Sequence, residues 1–221
     1  MLVALGHVLP ISVAVALSSV PIMATILILL SPNKGRSSLT FLIGWVLGIV
    51  LVVVGLTMLA RFIPTSSPKQ SQAWIGTALV VIGAALVTGG IVLWRRSVGK
   101  PSNGIPKWLA AVGSLGPWST FGLALLLNLR PKAILLAAAA GLSLRSDSLS
   151  VANTAVVIAI YTVISASAVA IPIIARLVAP RQTDSWLVGA RKWVAKNNRI
   201  VSILIMILIG VVILGDGLTR I

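Results

Sequence analysis

Two cations and a proline interrupt a long hydrophobic segment near the middle of the chain. They are Arg130, Pro131 and Lys132, and Asn128 lies just before them. Each cation at the centre of a bilayer costs roughly 2.5–3.5 kcal/mol on insertion scales, so the pair needs a compensating partner. No carboxylate lies in the central portion of any hydrophobic segment, and the one that comes nearest to such a position, Asp216, is close to the end of the last segment. A bound anion, water or backbone carbonyls are left to compensate the two cations. We therefore predict a substrate-binding site for an anion at Asn128, Arg130 and Lys132.

Pro131 predicts how this site is shaped. Proline has no N–H, and its ring clashes with the carbonyl four residues back, at Leu127, so a helix tends to break there. A break would aim the positive N-terminus of a half-helix at the same cavity as the cations. In an unbroken helix Asn128 and Lys132 share a face while Arg130 points nearly opposite. Convergence of the three side chains therefore requires a distortion at Pro131.

The first hydrophobic segment holds candidates for the opposing wall of the site. Ser18, Ser19 and Pro21 lie at matching depth, and we predict that Pro21 and Pro131 act as hinges. Serines in membrane helices also bond to backbone carbonyls or allow close packing, so both roles stay open for Ser18 and Ser19. The hydroxyl of Tyr161, in the fifth segment, needs a partner, and a substrate contact and a packing role are both open for it.

The composition excludes several other kinds of chemistry. The chain has no cysteine, no glutamate, three aspartates and one histidine, which are too few groups for a transition-metal site or a hydrolytic site. The formal net charge is +15, but the basic residues lie between long uncharged runs, unlike those of nucleic-acid-binding proteins. We expect no enzymatic activity, cofactor, metal or nucleic acid partner. The histidine, His7, is expected to be solvated near the outer end of the first segment.

Segments long enough to cross a membrane make up most of the chain. Apolar residues account for 58% of the 221 residues and charged residues for 10%, and one span takes about 20 predominantly apolar residues. The sequence predicts an all-α polytopic membrane protein with six transmembrane helices. The six segments are Leu9–Leu30, Leu39–Ala60, Gln72–Trp94, Ser119–Leu144, Val151–Leu177 and Ile200–Leu218.

The distribution of cations between the spans predicts the orientation. Twelve cations lie in the first, third and fifth loops, and four lie on the other side of the membrane. Because cytoplasmic loops carry the excess of Lys and Arg, we expect a plasma-membrane protein with both termini extracytoplasmic. The twelve are Lys34, Arg36, Arg95, Arg96, Lys100, Lys107, Arg176, Arg181, Arg191, Lys192, Lys196 and Arg199, and the four are Arg61, Lys69, Arg145 and Arg220.

The chain divides into two halves of three spans. Pro21 and Pro131 are separated by half the length of the chain, and three spans per half require the second half to insert upside down. We therefore predict a 3+3 inverted repeat of the kind found in secondary transporters, with helices one and four broken at these prolines. The repeats are residues 1–94 and 119–221, joined by a cytoplasmic linker at 95–118.

The fifth loop is predicted to contain an interfacial amphipathic helix near residues 182–198. Tryptophans and aliphatic residues recur there at helical spacing, with Arg191, Lys192 and Lys196 between them. Such a helix can lie in the headgroup layer with its cations on lipid phosphates. We expect the basic cytoplasmic loops to contact anionic membrane lipids; the alternative is a solvated connector.

Three stretches resemble a known family. Residues 16–22, 29–32 and 41–48 resemble the N-terminal half of the actinobacterial Sap-like sulfolipid-addressing family, also called the peptidoglycolipid-addressing family, of the lysine-exporter superfamily. The resemblance covers essentially the whole chain. Superfamily members typically carry Asn-Pro-Lys in the fourth span, where this chain has Arg130-Pro131-Lys132, and many carry Pro-Gly-Pro in the first, where it has only Pro21. These departures count against an amino-acid exporter.

The resemblance implies a plasma-membrane translocator that helps to move glycolipids or lipid-linked precursors towards a mycobacterial-type envelope. Superfamily analogy also suggests a homodimer. Our leading hypothesis is therefore an exporter or flippase for an anionic glycolipid or lipid-linked head group. Two alternatives stay open, a small-solute exporter of the amino-acid type and a membrane scaffold for lipid-synthesis enzymes.

Overall fold

The computed structural model describes residues 2–31, 34–62, 68–97, 111–146 and 150–219. Within these ranges the chain forms α-helices and one 3₁₀ turn at Ala111–Ser114, and it contains no strand. The all-α prediction is confirmed. The helices are α1 (Leu2–Ala16), α2 (Ser19–Leu29), α3 (Lys34–Arg61), α4 (Pro68–Ser97), α5 (Pro117–Asn128), α6 (Pro131–Ser146), α7 (Val151–Val178) and α8 (Pro180–Leu218).

Three of the helices are each long and apolar enough to cross a membrane as a single helix. They contain the segments Gly35–Ala60 of α3, Ala73–Arg96 of α4 and Val151–Val178 of α7. The pairs α1–α2 and α5–α6 also qualify if each pair counts as one bent span, which gives up to five. The apolar end of α8, Ile203–Leu218, is shorter. The protein is therefore a multi-pass membrane protein, and the sixth span stays a prediction.

Both bent pairs break just before a proline. The axes of α1 and α2 differ by 46°, and those of α5 and α6 differ by 62°. Pro21 lies in the first turn of α2, and Pro131 is the first residue of α6. A proline is tolerated in a first turn because the N–H it lacks would have no acceptor within that helix. The predicted breaks in these two segments are confirmed.

Each bent pair packs closely against a long helix from the other half of the chain. The helix α3 packs against α5 and α6, and α7 packs against α1 and α2. The largest fully buried side chains include Phe41 and Trp45 of α3, Ile26 of α2 and Ile173 of α7. Each bent pair therefore packs against one of the long helices α3 and α7, while Leu17 and Leu129 at the two breaks are 47% and 56% exposed.

Two long helices, α4 and α8, pack along each other through small residues. A Cβ atom added at Gly83 of α4 would lie 2.7 Å from the backbone nitrogen of Leu214, and one added at Gly217 of α8 would lie 2.7 Å from that of Val80. Glycine is required at such positions because no side chain fits between the two backbones. This contact fixes α8 against a clear membrane span.

The predicted interfacial segment is the first part of α8. This helix is continuous from Pro180 to Leu218 and is 39 residues long. Leu187 and Val194 are buried, whereas Trp186 and Trp193 are 55% and 58% exposed. The helical spacing is therefore present, and the location of this segment in the headgroup layer stays a prediction.

Most of the predicted linker at 95–118 lies outside the described residues, so the domain boundaries also stay predictions.

Candidate functional site

A partly open cavity of about 180 Å³ lies where the two helix breaks meet. Ser18 comes from the break between α1 and α2, and Arg130 from the break between α5 and α6. Lys132 follows Arg130 in the first turn of α6. The structure thus brings together three predicted site residues that are up to 114 positions apart in sequence, because α3 packs on one bent pair and α7 on the other. The lining residues are Val15, Ser18, Trp45, Arg130, Pro131, Lys132, Ala133 and Leu136.

The guanidinium of Arg130 also stabilises the break itself. Its Nε donates a hydrogen bond to the Leu127 carbonyl at 3.0 Å. That carbonyl lies four residues before Pro131, so it is the one that would accept from residue 131 in a continuous helix, and proline has no N–H to donate. Arg130 therefore supplies the hydrogen bond that Pro131 cannot make.

The remaining donors of the two cations face the cavity without a protein acceptor. Arginine carries five N–H donors and lysine three. In the described part of the chain, no hydrogen bond from the Nη groups of Arg130 or from Nζ of Lys132 is present. Both side chains are only partly buried. The cavity can therefore offer several charged donors to a ligand.

Carboxylates do not neutralise these cations within the described residues. Asp184 forms an ion pair with Arg176 where α7 meets α8. Asp216 lies near the end of α8, where its Oδ1 is 3.2 Å from the Nε2 of His7. With both described acids engaged elsewhere, Arg130 and Lys132 give the cavity a positive potential in an environment of low dielectric constant.

The contact with Asp216 corrects the expectation that His7 is simply solvated. The His7 side chain is 27% exposed and that of Asp216 is 15% exposed. The second carboxylate oxygen, Oδ2, accepts a hydrogen bond from Ser143 of α6 at 3.5 Å. This cluster joins α1, α6 and α8, which sequence spacing could not reveal because its members come from distant parts of the chain.

Trp45 is a cavity residue that sequence reasoning did not assign. It is 1% exposed, and its ring stacks on Phe41 with centroids 6.4 Å apart and planes inclined by 6°. Its Nε1–H has no hydrogen-bond partner among the described residues. The available signal was its depth, because tryptophans of membrane proteins concentrate at the interfaces and a buried one usually finds an acceptor.

Three other predicted site residues do not line the cavity. Asn128 is 4% exposed, and its Nδ2 donates to the Ala124 carbonyl at 2.9 Å. The same amide fills a notch in α3, where a Cβ at Gly48 would lie 2.5 Å from Nδ2.

Ser19 is buried in the first turn of α2, and Tyr161 is 2% exposed within α7. The hinge prolines differ too, because Pro131 lines the cavity and Pro21 is buried one turn away.

These features define a class of protein, a multi-pass helical membrane protein with a cationic cavity at two broken helices. Within that class, the chain belongs to the family described as Sap, sulfolipid-1-addressing protein, whose model matches residues 8–219. The match covers the first bent pair from Val8 onwards, the whole of the second bent pair and every residue that lines the cavity, and it confirms the resemblance to this family. No curated protein and no solved structure matches the chain.

Proposed function

We propose that the protein is a membrane translocator for an anionic glycolipid or another lipid with an anionic head group. The observation that carries this proposal is the cavity lined by Arg130 and Lys132, with no carboxylate in ion-pair range among the described residues. Two uncompensated cations at this depth cost several kcal/mol unless a ligand offsets them. The family description, which names a sulfolipid, supports an anionic lipid as that ligand.

In this proposal the head group binds where two helix N-termini meet. The helix α2 begins at Ser19 and α6 at Pro131, next to the lining residues Ser18 and Arg130. The first backbone N–H groups of a helix lack intrahelical acceptors, and the helix dipole adds a partial positive charge. A sulfate, phosphate or carboxylate would therefore receive charged donors from Arg130 and Lys132, a hydroxyl from Ser18 and a favourable backbone field.

Alternating access by a six-span inverted repeat is the second part of the proposal. Each half of the chain has the same order of elements, a bent pair followed by two long helices. The packing of α3 on the bent pair α5–α6 matches that of α7 on the bent pair α1–α2. Movement about the breaks at Pro21 and Pro131 would then expose the cavity to one side and then the other.

We also propose a plasma-membrane location with the odd-numbered loops in the cytoplasm and both termini outside. The side chains of Arg95, Arg96, Arg191, Lys192 and Lys196 are exposed. Such cations at the cytoplasmic face would contact the phosphates of anionic lipids, each contributing about 1 kcal/mol. A homodimer remains part of this proposal on superfamily analogy.

A second candidate is a small-solute exporter of the amino-acid type. It is favoured by the size of the cavity, because about 180 Å³ accommodates a small anion but not a whole lipid. The two candidates differ in what must lie beside the cavity. A lipid translocator needs an apolar surface that continues into the membrane, whereas a small-solute exporter needs none.

The test is transbilayer movement of a fluorescent lipid in vesicles that contain the purified protein. The probes are phosphatidylglycerol and phosphatidylcholine with the same labelled acyl chain. We expect movement of the anionic lipid to be lost in Arg130→Gln and in Lys132→Gln. It should be largely retained in the control Lys192→Gln, which removes one of several exposed surface cations and leaves the cavity intact. Unchanged movement in both cavity variants would refute the proposal, and export of amino acids without lipid movement would favour the second candidate.

A further inference from the structure

An apolar groove runs along α7 and α8 on the surface of the bundle. It consists of two adjoining concavities of about 610 Å³ and about 430 Å³, which share Ile171, Pro172 and Trp186. The α7 wall extends from Ala168 to Val178, which is about 15 Å of helix at 1.5 Å per residue. The groove therefore follows the two helices from the α7–α8 turn towards the middle of the protein.

The larger concavity is lined entirely by apolar residues. The helix α2 contributes Ile22 and Ile26, and α8 contributes Ala190, Trp193 and Val194. Apart from the indole N–H groups of Trp186 and Trp193, the side chains of this lining offer a water-soluble ligand no hydrogen-bonding group, whereas hydrocarbon fits the surface through van der Waals contact. In a membrane protein the chemistry of the groove therefore suits an acyl chain.

The larger concavity lies next to the cationic cavity. Ser18 lines the cavity, Ile22 lines the groove, and the two residues are one helical turn apart. The backbone nitrogen of Ile22 is 3.5 Å from the Ser18 carbonyl oxygen. One molecule can therefore reach both places if it carries an anionic group and a hydrocarbon chain on neighbouring atoms.

We infer that the groove between α2, α7 and α8 binds an acyl chain of the same lipid whose anionic head group occupies the cavity at Arg130 and Lys132. This inference rests on the proposed function and adds the place of the lipid tail. The acyl chain needs little intrinsic preference for the groove over bulk lipid. A head group held at the cavity keeps its own tail within reach, so the local concentration of that tail is high.

The glycine at position 189 provides a way to fill the groove. Gly189 lines the larger concavity, and a Cβ atom added there meets nothing within 4 Å. A Gly189→Phe side chain would therefore occupy the groove without a backbone clash. The neighbouring Val188 is 45% exposed and does not line the groove, so Val188→Phe is a matched control.

The experiment uses phosphatidylglycerol with a photoreactive diazirine on one acyl chain. The probe is mixed into phosphatidylcholine vesicles that contain the full-length protein. Cross-linked peptides are identified by mass spectrometry. Phosphatidylcholine with the same diazirine chain is the second arm of the experiment. The exposed residues Ile43, Leu47 and Leu51 of the membrane-spanning helix α3 serve as the reference for ordinary contact with the bilayer. We expect the anionic probe to label the α7–α8 groove more strongly than α3. This excess should be lost in Gly189→Phe and in the double variant Arg130→Gln/Lys132→Gln, and it should persist in Val188→Phe.

The outcomes separate this inference from the proposed function. If Arg130 and Lys132 govern lipid movement but groove labelling never exceeds that of α3, the inference is wrong and the proposed function stands. Equal labelling of the groove by both probes, unchanged in the double variant, would make the groove a general lipid contact and would also overturn the inference. If neither movement nor labelling depends on head-group charge or on the two cations, both fail.

Discussion

At the scale of single residues, Arg130 and Lys132 look equivalent in the sequence and differ in the structure. Arg130 Nε is bonded to the Leu127 carbonyl, so part of this side chain belongs to the scaffold of the break. Lys132 has no such bond among the described residues, and its charge is available to a ligand. Substitution of these two residues should therefore change the stability of the protein in different ways.

We predict that Arg130→Gln leaves the purified protein less stable to heat than Lys132→Gln does. Removal of either charge recovers part of the roughly 2.5–3.5 kcal/mol that an uncompensated cation costs in a membrane. Arg130→Gln also leaves the buried Leu127 carbonyl without its hydrogen-bond donor, which costs about 1–3 kcal/mol. Thermal unfolding in detergent without added anions measures both, and the reverse order of stabilities would contradict the assignment.

We also predict that Gly48→Ala destabilises the protein while Gly55→Ala does not. A Cβ at Gly48 would overlap Asn128, at 2.5 Å from Nδ2 and 3.0 Å from Cγ, whereas a Cβ at Gly55 of the same helix meets nothing within 4 Å. Overpacking of this kind costs about 1–3 kcal/mol. Thermal unfolding of the two variants measures the difference. Adding Asn128→Ala to Gly48→Ala should restore most of the loss, and an absence of coupling would show that the notch is not rigid.

Physical reasons explain why some of the predicted site residues line the cavity and others do not. Charge at the middle of a span is costly wherever it occurs, so Arg130 and Lys132 could be selected from sequence. Asn128 looked equivalent because it shares a helical face with Lys132, but the break turns it towards Gly48 on α3. Its orientation depends on the neighbouring helix, and the chain's own periodicity carries no such information.

At the scale of elements, prolines alone did not determine where the helices break. Pro10 and Pro172 lie inside α1 and α7, which continue through them, while Pro21 and Pro131 follow breaks. The latter two were identified by their depth in the predicted spans. The bend angles of 46° and 62° depend on packing against α3 and α7, so they could not be predicted from local sequence.

The contact between α4 and α8 yields a prediction that compares two glycines of one helix. A Cβ at Gly217 would lie 2.7 Å from Val80 N and 2.8 Å from Gly76 O, whereas a Cβ at Gly215 meets nothing within 4 Å. Gly217→Ala should therefore separate the helices and lower the temperature of thermal unfolding. Gly215→Ala should be neutral or slightly stabilising, because alanine favours helix by up to about 1 kcal/mol over glycine. Equal effects of the two substitutions would show that α4 and α8 do not depend on this contact.

At the scale of the whole molecule, the packing of α8 on α4 bears on the number of spans. Gly90 of α4 lies against Ile207 of α8, and Gly83 lies against Gly210 and Leu214. Nearer the start of α4, Val80 lies against Gly217. Residue numbers fall along α4 as they rise along α8, so the helices are antiparallel. Because α4 contains the span Ala73–Arg96, the apolar end of α8 lies beside membrane-spanning residues and is expected to cross in the opposite direction.

Single introduced cysteines can test this topology, because the chain has no cysteine of its own. With six spans and the basic loops inside, a membrane-impermeant thiol reagent applied to intact cells should label Leu2→Cys, Val151→Cys and Thr219→Cys. All three original residues are exposed, and so are Ser114 and Ser185, whose cysteine variants should react only after permeabilisation. Protection of Thr219→Cys alone would reduce the protein to five spans, since the final crossing places this residue outside. Inversion of the whole pattern would put the twelve loop cations on the outer face and would contradict the proposed orientation.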